Sequence, residues 1–419
     1  MITVLITAYA VHPHKGSEDG MGWNMILQAA AQHKVIAVTR INNRPAIEAY
    51  TAAHPSSVLL ANITWLYFDW PKWLISWKKG PLMSMIYYYL WQFTLALWLI
   101  PHSKEADLVH NLNFHNDWTP SFLWLLRKPF IWGHVGHHNK IPKQFLVVQY
   151  GYGAYFKDRF LWVLKHLFWY GDPFLWICKK KAAITICMSV DAVKKLRLKS
   201  NYIIHPSVAA DRVRISDHNS RDNSINIISI GRFVPLKGFD LTIRSFAIFY
   251  KTLTSEQQSR VSLTLAGSGP TENMLRLIAK EEKIAHAVRF VKWLPKEEIE
   301  KLYSSATVFL FPSHEGAGMV VAEALSFSLP VICLQNTGPG NMVPPETSLI
   351  VPADSYWKTV YALSQKLQQI FWKPALLQHE KKLAASHHQQ LFEWKVRGQM
   401  LNNVYKYATE KNNSHSPAQ

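Results

Sequence analysis

Two doubly wound α/β domains, each a parallel sheet covered on both faces and together facing a cleft, are the fold class that this sequence predicts. Three observations predict it. At 419 residues the chain is too long for one comfortable hydrophobic core, so two domains are the default. Apolar residues make up 48% of it and charged residues 18%, which is a folded globular composition and excludes a disordered one. Apolar runs of strand length alternate with runs of helical period, the mark of βαβ units and a parallel sheet.

In the first half, "ITVLITAY" and "KVIAVTR" read as strands separated by the helix "GWNMILQAAAQH". "ADLVHNLN" and "KPFIWGHV" are later strands, with "WTPSFLWLL" as a helix between them. "AAITICMS" is a further strand, followed by the helix "VDAVKKLRL". The second half alternates more regularly. "INIISIGRF", "VSLTLAGSG", "AVRFVKWLP", "TVFLFPS" and "LPVICLQ" are its strands. "GFDLTIRSFAIFYKTL", "PTENMLRLIAKEEKI", "KEEIEKLYSSA" and "GMVVAEALSFS" are its helices. The polar stretch 211–224, "DRVRISDHNSRDNS", reads as the linker. The expected division is 1–210, 225–385 and a terminal helix over 386–410. Ligands of such sheets bind beyond the carboxyl ends of the strands, so the site is expected in the cleft between the domains.

Three scattered cysteines, Cys178, Cys187 and Cys333, make neither a disulfide framework nor a zinc site, and a reducing compartment fits. The start, "MITVLITAYA", reads as a buried strand and not as a signal segment, so a cytosolic protein is expected. No 20–50-residue repeat is visible, and the last residues, "NNSHSPAQ", read as a loose tail.

The net charge of +18 is uneven. Residues 1–205 hold 22 Lys and Arg against 10 Asp and Glu, a net +12, and 13 of the 17 tryptophans. Basic charge together with Trp suits a surface that meets anionic lipid headgroups, or nucleic acid, or none at all. Residues 82–100 carry no charge and are just long enough to span a bilayer, yet hold Ser, Thr, Gln and three consecutive Tyr. A buried or membrane-facing helix fits them better than a span. Trp70, Trp73 and Trp77 fall on one helical face, flanked by Lys72, Lys78 and Lys79. Either a monotopic membrane contact or an aromatic core stripe is built that way.

The chemistry-bearing stretch is "FPSHEGAGMVVAEALSFSLPVI", 311–332. With a helix starting near Gly318, the backbone N–H groups of 316–319 form an anion site suited to a diphosphate. Glu315 precedes that start and can accept hydrogen bonds from a sugar's hydroxyls. Glu323, on the second turn, lies near where a ribose would sit. In "GRFVPLKGFD", Arg232 and Lys237 follow a strand five residues apart, and two cations there can neutralise a departing diphosphate. "AGSGP", 266–270, is a third strand-end turn. No stretch has P-loop spacing, and "GSEDGMG" is not the dinucleotide G-x-G-x-x-G.

"GRFVPLKG", "AGSGP" and the E-x7-E of "HEGAGMVVAEA", in that order, resemble the retaining glycosyltransferases of the two-Rossmann GT-B fold, family four. "GSEDGMGWN" is similar to the GSExGxGW signature of a bacterial subgroup that builds surface polysaccharides. "DLVHNLN…WTPSFLW…KPFIWGHVGHHNKIP" resembles that subgroup's next block, and "FEWKVRGQMLNNVYKYA" the helix that returns to the first domain. The resemblance implies that Arg232 and Lys237 bind the donor diphosphate, Glu323 the ribose and Glu315 the donor sugar. Gly318, Met319 and Val320 would assist the phosphates through their amides, and Gly16, Ser17 and Glu18 would close over diphosphate and sugar. Where the subgroup reads Gly-Pro-Val-Gly-Gly, this chain reads "GHVGHH", which places His134, His137 and His138 near the expected reaction zone. His134 is the candidate for polarising a sugar hydroxyl, as a histidine near this place does in related enzymes. His110 and His115 read as hydrogen-bonded strand-end residues.

What the resemblance implies is an enzyme. It moves a hexose-type sugar from a nucleoside-diphosphate donor to a hydroxyl of a growing lipid-linked or oligosaccharide acceptor, as in capsule, O-antigen or exopolysaccharide. The expected place is the anionic inner leaflet of a bacterial plasma membrane, with no cofactor and no metal. A soluble synthase or phosphorylase with a small-molecule acceptor shares the donor site and stays open. A nucleic-acid-binding module would need a block of Lys and Arg, and the positive residues are dispersed instead, so no nucleic-acid partner is expected.

Overall fold

The computed structural model describes residues 1–112, 116–213 and 224–413. The first seven strands are β1 (Thr3–Thr7), β2 (Lys34–Thr39), β3 (Ile63–Tyr67), β4 (Leu108–Asn111), β5 (Phe130–Val135), β6 (Ile184–Cys187) and β7 (Tyr202–Ile204). They pair in parallel in the order β3-β2-β1-β4-β5-β6-β7. Six more, β8 (Ile225–Ile230), β9 (Val261–Ala266), β10 (Val288–Val291), β11 (Val308–Phe311), β12 (Val331–Leu334) and β13 (Ile350–Val351), form a second parallel sheet. Its order is β10-β9-β8-β11-β12-β13. Strand order reverses between β1 and β4 in one sheet and between β8 and β11 in the other. Crevices that hold ligands in doubly wound sheets lie at such points.

The second sheet shows why its strands read as unbroken apolar runs. Alternate side chains point to opposite faces, and both faces are covered. Ile227, Leu263, Leu310 and Ile332 pack with Phe246 of the helix Phe239–Lys251 and Leu363 of the helix Tyr356–Trp372. Ile228, Phe309 and Phe311 pack on the other face with Val321 and Leu325 of the helix Met319–Ser326.

The chain divides into two compact units. One is Met1–His137, Val163–Ser207 and Trp394–Gln419. The other is His138–Trp162 and Val208–Glu393. In the first, the helix Trp394–Asn413 runs beside the helix Ser17–Ala30, with Gly398 against the Gln28 side chain. Its Tyr405 hydroxyl meets His110 Nδ1 at 2.9 Å, and His110 Nε2 meets the Gly133 carbonyl at 2.7 Å. Burial lowers the His110 pKa to about 4, so this ring is neutral at pH 7. In the second unit, the segment 138–162 is tied to the sheet's helices. The Tyr150 hydroxyl donates to Asp240 Oδ1 (2.8 Å) and that of Tyr356 to Oδ2 (2.9 Å). Burial raises the Asp240 pKa, and the two hydroxyls pull it back.

Several sequence expectations change. Residues 118–126 do not form the expected helix. Thr119 N–H donates to Asn116 Oδ1 at 2.8 Å in a local turn, Pro120 follows, and only the 3-10 turn Leu123–Leu126 is helical. Trp70, Trp73 and Trp77 do not share a helical face either. Pro71 breaks the chain into the 3-10 turn Lys72–Ile75. Trp70 turns inward to donate to Thr94 Oγ1 at 2.8 Å, while Trp73 and Trp77 stay exposed. Residues 143–181 and 356–385, where no element is expected, lie in the helices Lys143–Gly171, Pro173–Lys181, Tyr356–Trp372 and Pro374–Leu391. His115 and most of the expected linker, with the end of the tail, lie outside the described residues. The three cysteines are buried and unbridged. Among the described residues no helix is long and apolar enough to cross a membrane. Among the same residues, no group of three or more His, Cys, Asp or Glu could hold a metal ion.

Candidate active site

β8 and β11 are neighbours at the reversal point of the second sheet, and their carboxyl ends open side by side. The chain leaving β8 passes exposed Arg232 and makes the 3-10 turn Pro235–Lys237. The chain leaving β11 passes Ser313 and Glu315 and enters the helix Met319–Ser326, capped by Gly318. The two loops meet in an ion pair, Lys237 Nζ to Glu315 Oε2 at 2.5 Å. The same ammonium lies 5.1 Å from the Phe311 ring centroid.

Two glycines permit that approach. Gly238 ends the turn at φ 68°, and a Cβ there would overlap the Pro312 carbonyl. Gly338, after β12, lies against the Glu315 carbonyl, where a Cβ would also overlap. Polar side chains lock the loops together. Ser313 Oγ donates to the Leu236 carbonyl and accepts from Glu315 N–H, each at 3.2 Å. Asn336 Nδ2 donates to the Ser313 carbonyl at 2.7 Å. Its Oδ1 accepts from the N–H groups of Gly338 and Gly340, each at 3.1 Å. The loop after β9 joins through Phe233 N–H to the Ser268 carbonyl at 2.9 Å.

Burial raises the Glu315 pKa, while the Lys237 ammonium and the Arg232 charge pull it back. Oε2 is held by Lys237. Oε1 is buried and finds no hydrogen-bond donor among the described residues. It faces Gly318, 3.1 Å from where a Cβ on that residue would stand. A helix start beside a lysine attracts an anion, and an unsatisfied carboxylate oxygen attracts a hydroxyl. Glu323 is held on the same helix by the Tyr303 hydroxyl, which donates to Oε2 at 3.0 Å. Burial raises its pKa, and the Tyr303 hydrogen bond, Lys296 and Lys237 lower it.

The structure thus gathers Arg232, Lys237, Glu315, Gly318, Met319, Val320 and Glu323 at one end of the second sheet. Gly16, Ser17, Glu18 and His134 lie in the other unit. Gly16 caps the helix Ser17–Ala30 just after β1, and Ser17 sits at φ 57°. His134 is 1% exposed inside β5, its ring 6.5 Å from that of His205. His137, in contrast, donates from Nδ1 to Asp117 Oδ2 at 2.6 Å. His138 belongs to the second unit, where its Nδ1 accepts from Gly316 N–H at 2.9 Å. Sequence reading passed over Ser313, Asn336 and Tyr303. Asn336 had a usable signal, because an Asn two residues ahead of a Gly is a side-chain turn.

The two parallel sheets, with their reversal points, define the class: this is a GT-B fold. Residues 212–371, within the second unit, match the family described as glycosyl transferases group 1. A D-inositol 3-phosphate glycosyltransferase of Kribbella flavida is 29% identical over 198 residues, 45% of this chain and 45% of its own. The O-antigen chain mannosyltransferase B of Escherichia coli is 29% identical over 146 residues, 34% of this chain and 37% of its own. The matched stretches span about half or less of these curated relatives' length. Among solved structures, HepE of Anabaena in complex with UDP and glucose superposes with a TM-score of 0.60 at 12% identity. That match covers 97% of this chain and 100% of HepE, and it speaks for the fold.

Proposed function

We propose that the protein is a retaining glycosyltransferase of family four that moves a sugar from a nucleoside diphosphate to a hydroxyl of a growing, lipid-linked surface glycan. One observation carries the reading: a lysine and a half-satisfied buried carboxylate meet at a helix start, at the reversal point of a parallel sheet. In this reading Lys237 and Arg232 take the diphosphate with the amides of Gly318, Met319 and Val320. Glu323 holds the ribose, and Glu315 accepts from the sugar's hydroxyls. Gly16, Ser17 and Glu18 close over the donor. His134 polarises a sugar hydroxyl, which requires its buried ring to become reachable.

The reaction exchanges one bond for another on the same face of the sugar. The anomeric carbon–phosphate oxygen bond breaks as the acceptor oxygen bonds to that carbon. The acceptor's proton passes to the leaving phosphate oxygen. Lys237 and Arg232 stabilise the charge developing there, so no metal ion is required. Similarity to the O-antigen chain mannosyltransferase B of E. coli supports a surface-glycan acceptor, which this reading puts at the inner face of the plasma membrane. A small-molecule acceptor is the second reading, favoured by the inositol 3-phosphate relative.

The test is a thermal-shift screen against nucleoside diphosphates and their sugars, followed by release of the free nucleotide from the stabilising donor. A donor at about 100 times its Kd stabilises the native state by about 2.7 kcal/mol, a shift of several degrees. If no nucleotide or nucleotide sugar moves the melt and none is turned over, the reading fails. Turnover only with a free sugar or polyol phosphate would select the second reading.

A further inference from the structure

The helix Gly80–Leu99 carries no charged residue. One side of it is core, with Tyr87, Trp91 and Leu95 fully buried. The other side is also apolar, but faces solvent: Leu82, Ile86, Leu90, Phe93 and Leu97, continued by Ile100, recur at steps of three and four. A helix at a water-facing surface ordinarily turns polar residues outward, and one that is apolar all round is normally enclosed. A second stripe lies in the same unit. Val163, Leu167 and Tyr170, then Phe174 and Trp176 on the helix Pro173–Lys181, are all exposed, Leu167 to 63% and Trp176 to 55%.

The two stripes form one surface. Phe122 lies between them, its ring 5.2 Å from Phe93 and 5.3 Å from Phe174. The Tyr89 hydroxyl donates to Asp172 Oδ2 at 2.9 Å, joining the helices through a hydrogen bond. Charge at the edge is one-sided. Over 72–100 and 163–181 the chain has seven lysines against a single acid, Asp172; Lys78 and Lys179 turn inward to the Tyr9 hydroxyl and the Leu196 carbonyl, while Lys72, Lys79, Lys180 and Lys181 are exposed. Lys180 Nζ stands 3.8 Å from the Trp176 ring centroid, so a cation and an indole share one rim. Trp73 and Trp77 are exposed beside Lys72 and Lys79.

We infer that this face lies in the headgroup–acyl boundary of an anionic bilayer, its three helices in the membrane plane. Apolar residues enter the acyl layer, Trp73, Trp77 and Trp176 sit at headgroup depth, and Lys72, Lys79, Lys180 and Lys181 pair with lipid phosphates. The charge selects the occupant. A second copy would bring the same lysine rim against itself, whereas an anionic leaflet complements it. The inference deepens the proposed function by naming the surface that holds the enzyme at its lipid-linked acceptor. It rests on that reading for its purpose and on the exposed face for its observations.

The test is flotation of the whole protein with vesicles of phosphatidylglycerol and phosphatidylethanolamine, against pure phosphatidylcholine. The variants are Ile100→Ser/Leu167→Ser/Trp176→Ser and Lys180→Glu/Lys181→Glu, all at exposed positions outside the donor site. The wild type is expected to float with anionic vesicles and to retain part of its binding in 0.5 M salt. The apolar triple variant should lose on the order of a hundredfold in partitioning, and the charge variant about tenfold, more at low salt. Brominated lipid should quench tryptophan fluorescence in the wild type. Complete release by salt with an unaffected triple variant would overturn insertion. So would a stable dimer that ignores vesicles and is broken by the triple variant, because the face would then be a protein interface. Nucleotide thermal shifts on the same preparations separate the two proposals. Vesicle binding without nucleotide binding sinks the function and spares this face, and the converse sinks the face alone.

Discussion

Replacing Lys237 with Ala leaves the Glu315 carboxylate buried without its ion-pair partner. At 2.5 Å and an effective dielectric of about 20, the gross attraction removed is roughly 6–7 kcal/mol. The variant does not lose that much, because Glu315 can take a proton instead. Holding a neutral carboxyl in the fold at pH 7, against an unfolded pKa of about 4.3, costs at most about 2.7 × 1.36, or about 3.7 kcal/mol. At pH 5 the same ceiling is about 1 kcal/mol. Burial already raises the Glu315 pKa in the wild type, so part of this cost is present before the substitution. The expected loss is about 1–3 kcal/mol at pH 7 and under about 1 kcal/mol at pH 5. The sign follows from proton binding. A carboxyl with a folded pKa above its unfolded one holds its proton longer in the native state. Its stability contribution therefore falls as pH rises from the unfolded value through the folded one, and removing Lys237 widens that window. Urea unfolding at the two pH values measures it, alongside the double variant Lys237→Met/Glu315→Gln, which should recover most of the stability without recovering turnover. A loss of equal size at both pH values, or a double variant no more stable than Lys237→Ala, would refute the coupling.

Two further substitutions probe the loops around that pair. Gly338→Ala places a methyl group against the Glu315 carbonyl and must displace the loop after β11; nucleotide-sugar affinity by calorimetry should fall at least about tenfold, with a smaller effect on melting. Tyr303→Phe removes the hydroxyl that donates to Glu323 Oε2; about 1–3 kcal/mol of stability should go by urea unfolding. Because burial already raises the Glu323 pKa, that loss should grow as pH rises above the ordinary glutamate range.

Legibility in the sequence followed burial. β8, β9, β11 and β12 are covered on both faces, so "INIISI", "VSLTLA", "VFLF" and "VICL" stand out as unbroken apolar runs. β7 and β13, three and two residues long, are too short to show any period. The helix Lys143–Gly171 stayed hidden because it exposes Leu, Val and aromatic residues where a soluble helix would show polar ones. In the site, each residue type was readable from its place after a strand, but the Lys237–Glu315 contact was not. It joins positions 78 apart, and depends on Asn336 and Gly338 from a third loop to set the height of the Glu315 backbone. His134 lies in the strand read from "KPFIWGHV", but which way its ring points was not legible. The register is irregular between Trp132 and Val135, and the His134 ring is buried.

The pairing of Lys237 with Glu315 bears on how the proposed donor would be held. Two charges that face each other before a ligand arrives need little rearrangement, because Ser313 and Asn336 already fix the backbone behind them. A diphosphate arriving at the Gly318 helix start offers Lys237 a second anion, and Arg232, exposed on the same strand-end loop, adds to that field. As the ammonium is shared, Glu315 loses part of the attraction that keeps it ionised. The donor sugar then compensates by giving hydroxyl hydrogens to the carboxylate, first to Oε1, the oxygen left without a donor. In the proposed reading phosphate and sugar binding are coupled through one carboxylate, so a nucleoside diphosphate alone should bind more weakly to wild type than to Glu315→Gln. The intact nucleotide sugar should show the reverse preference. Calorimetric titration of both proteins with both ligands decides it, and identical ratios for the two ligands would mean that Glu315 does not link them.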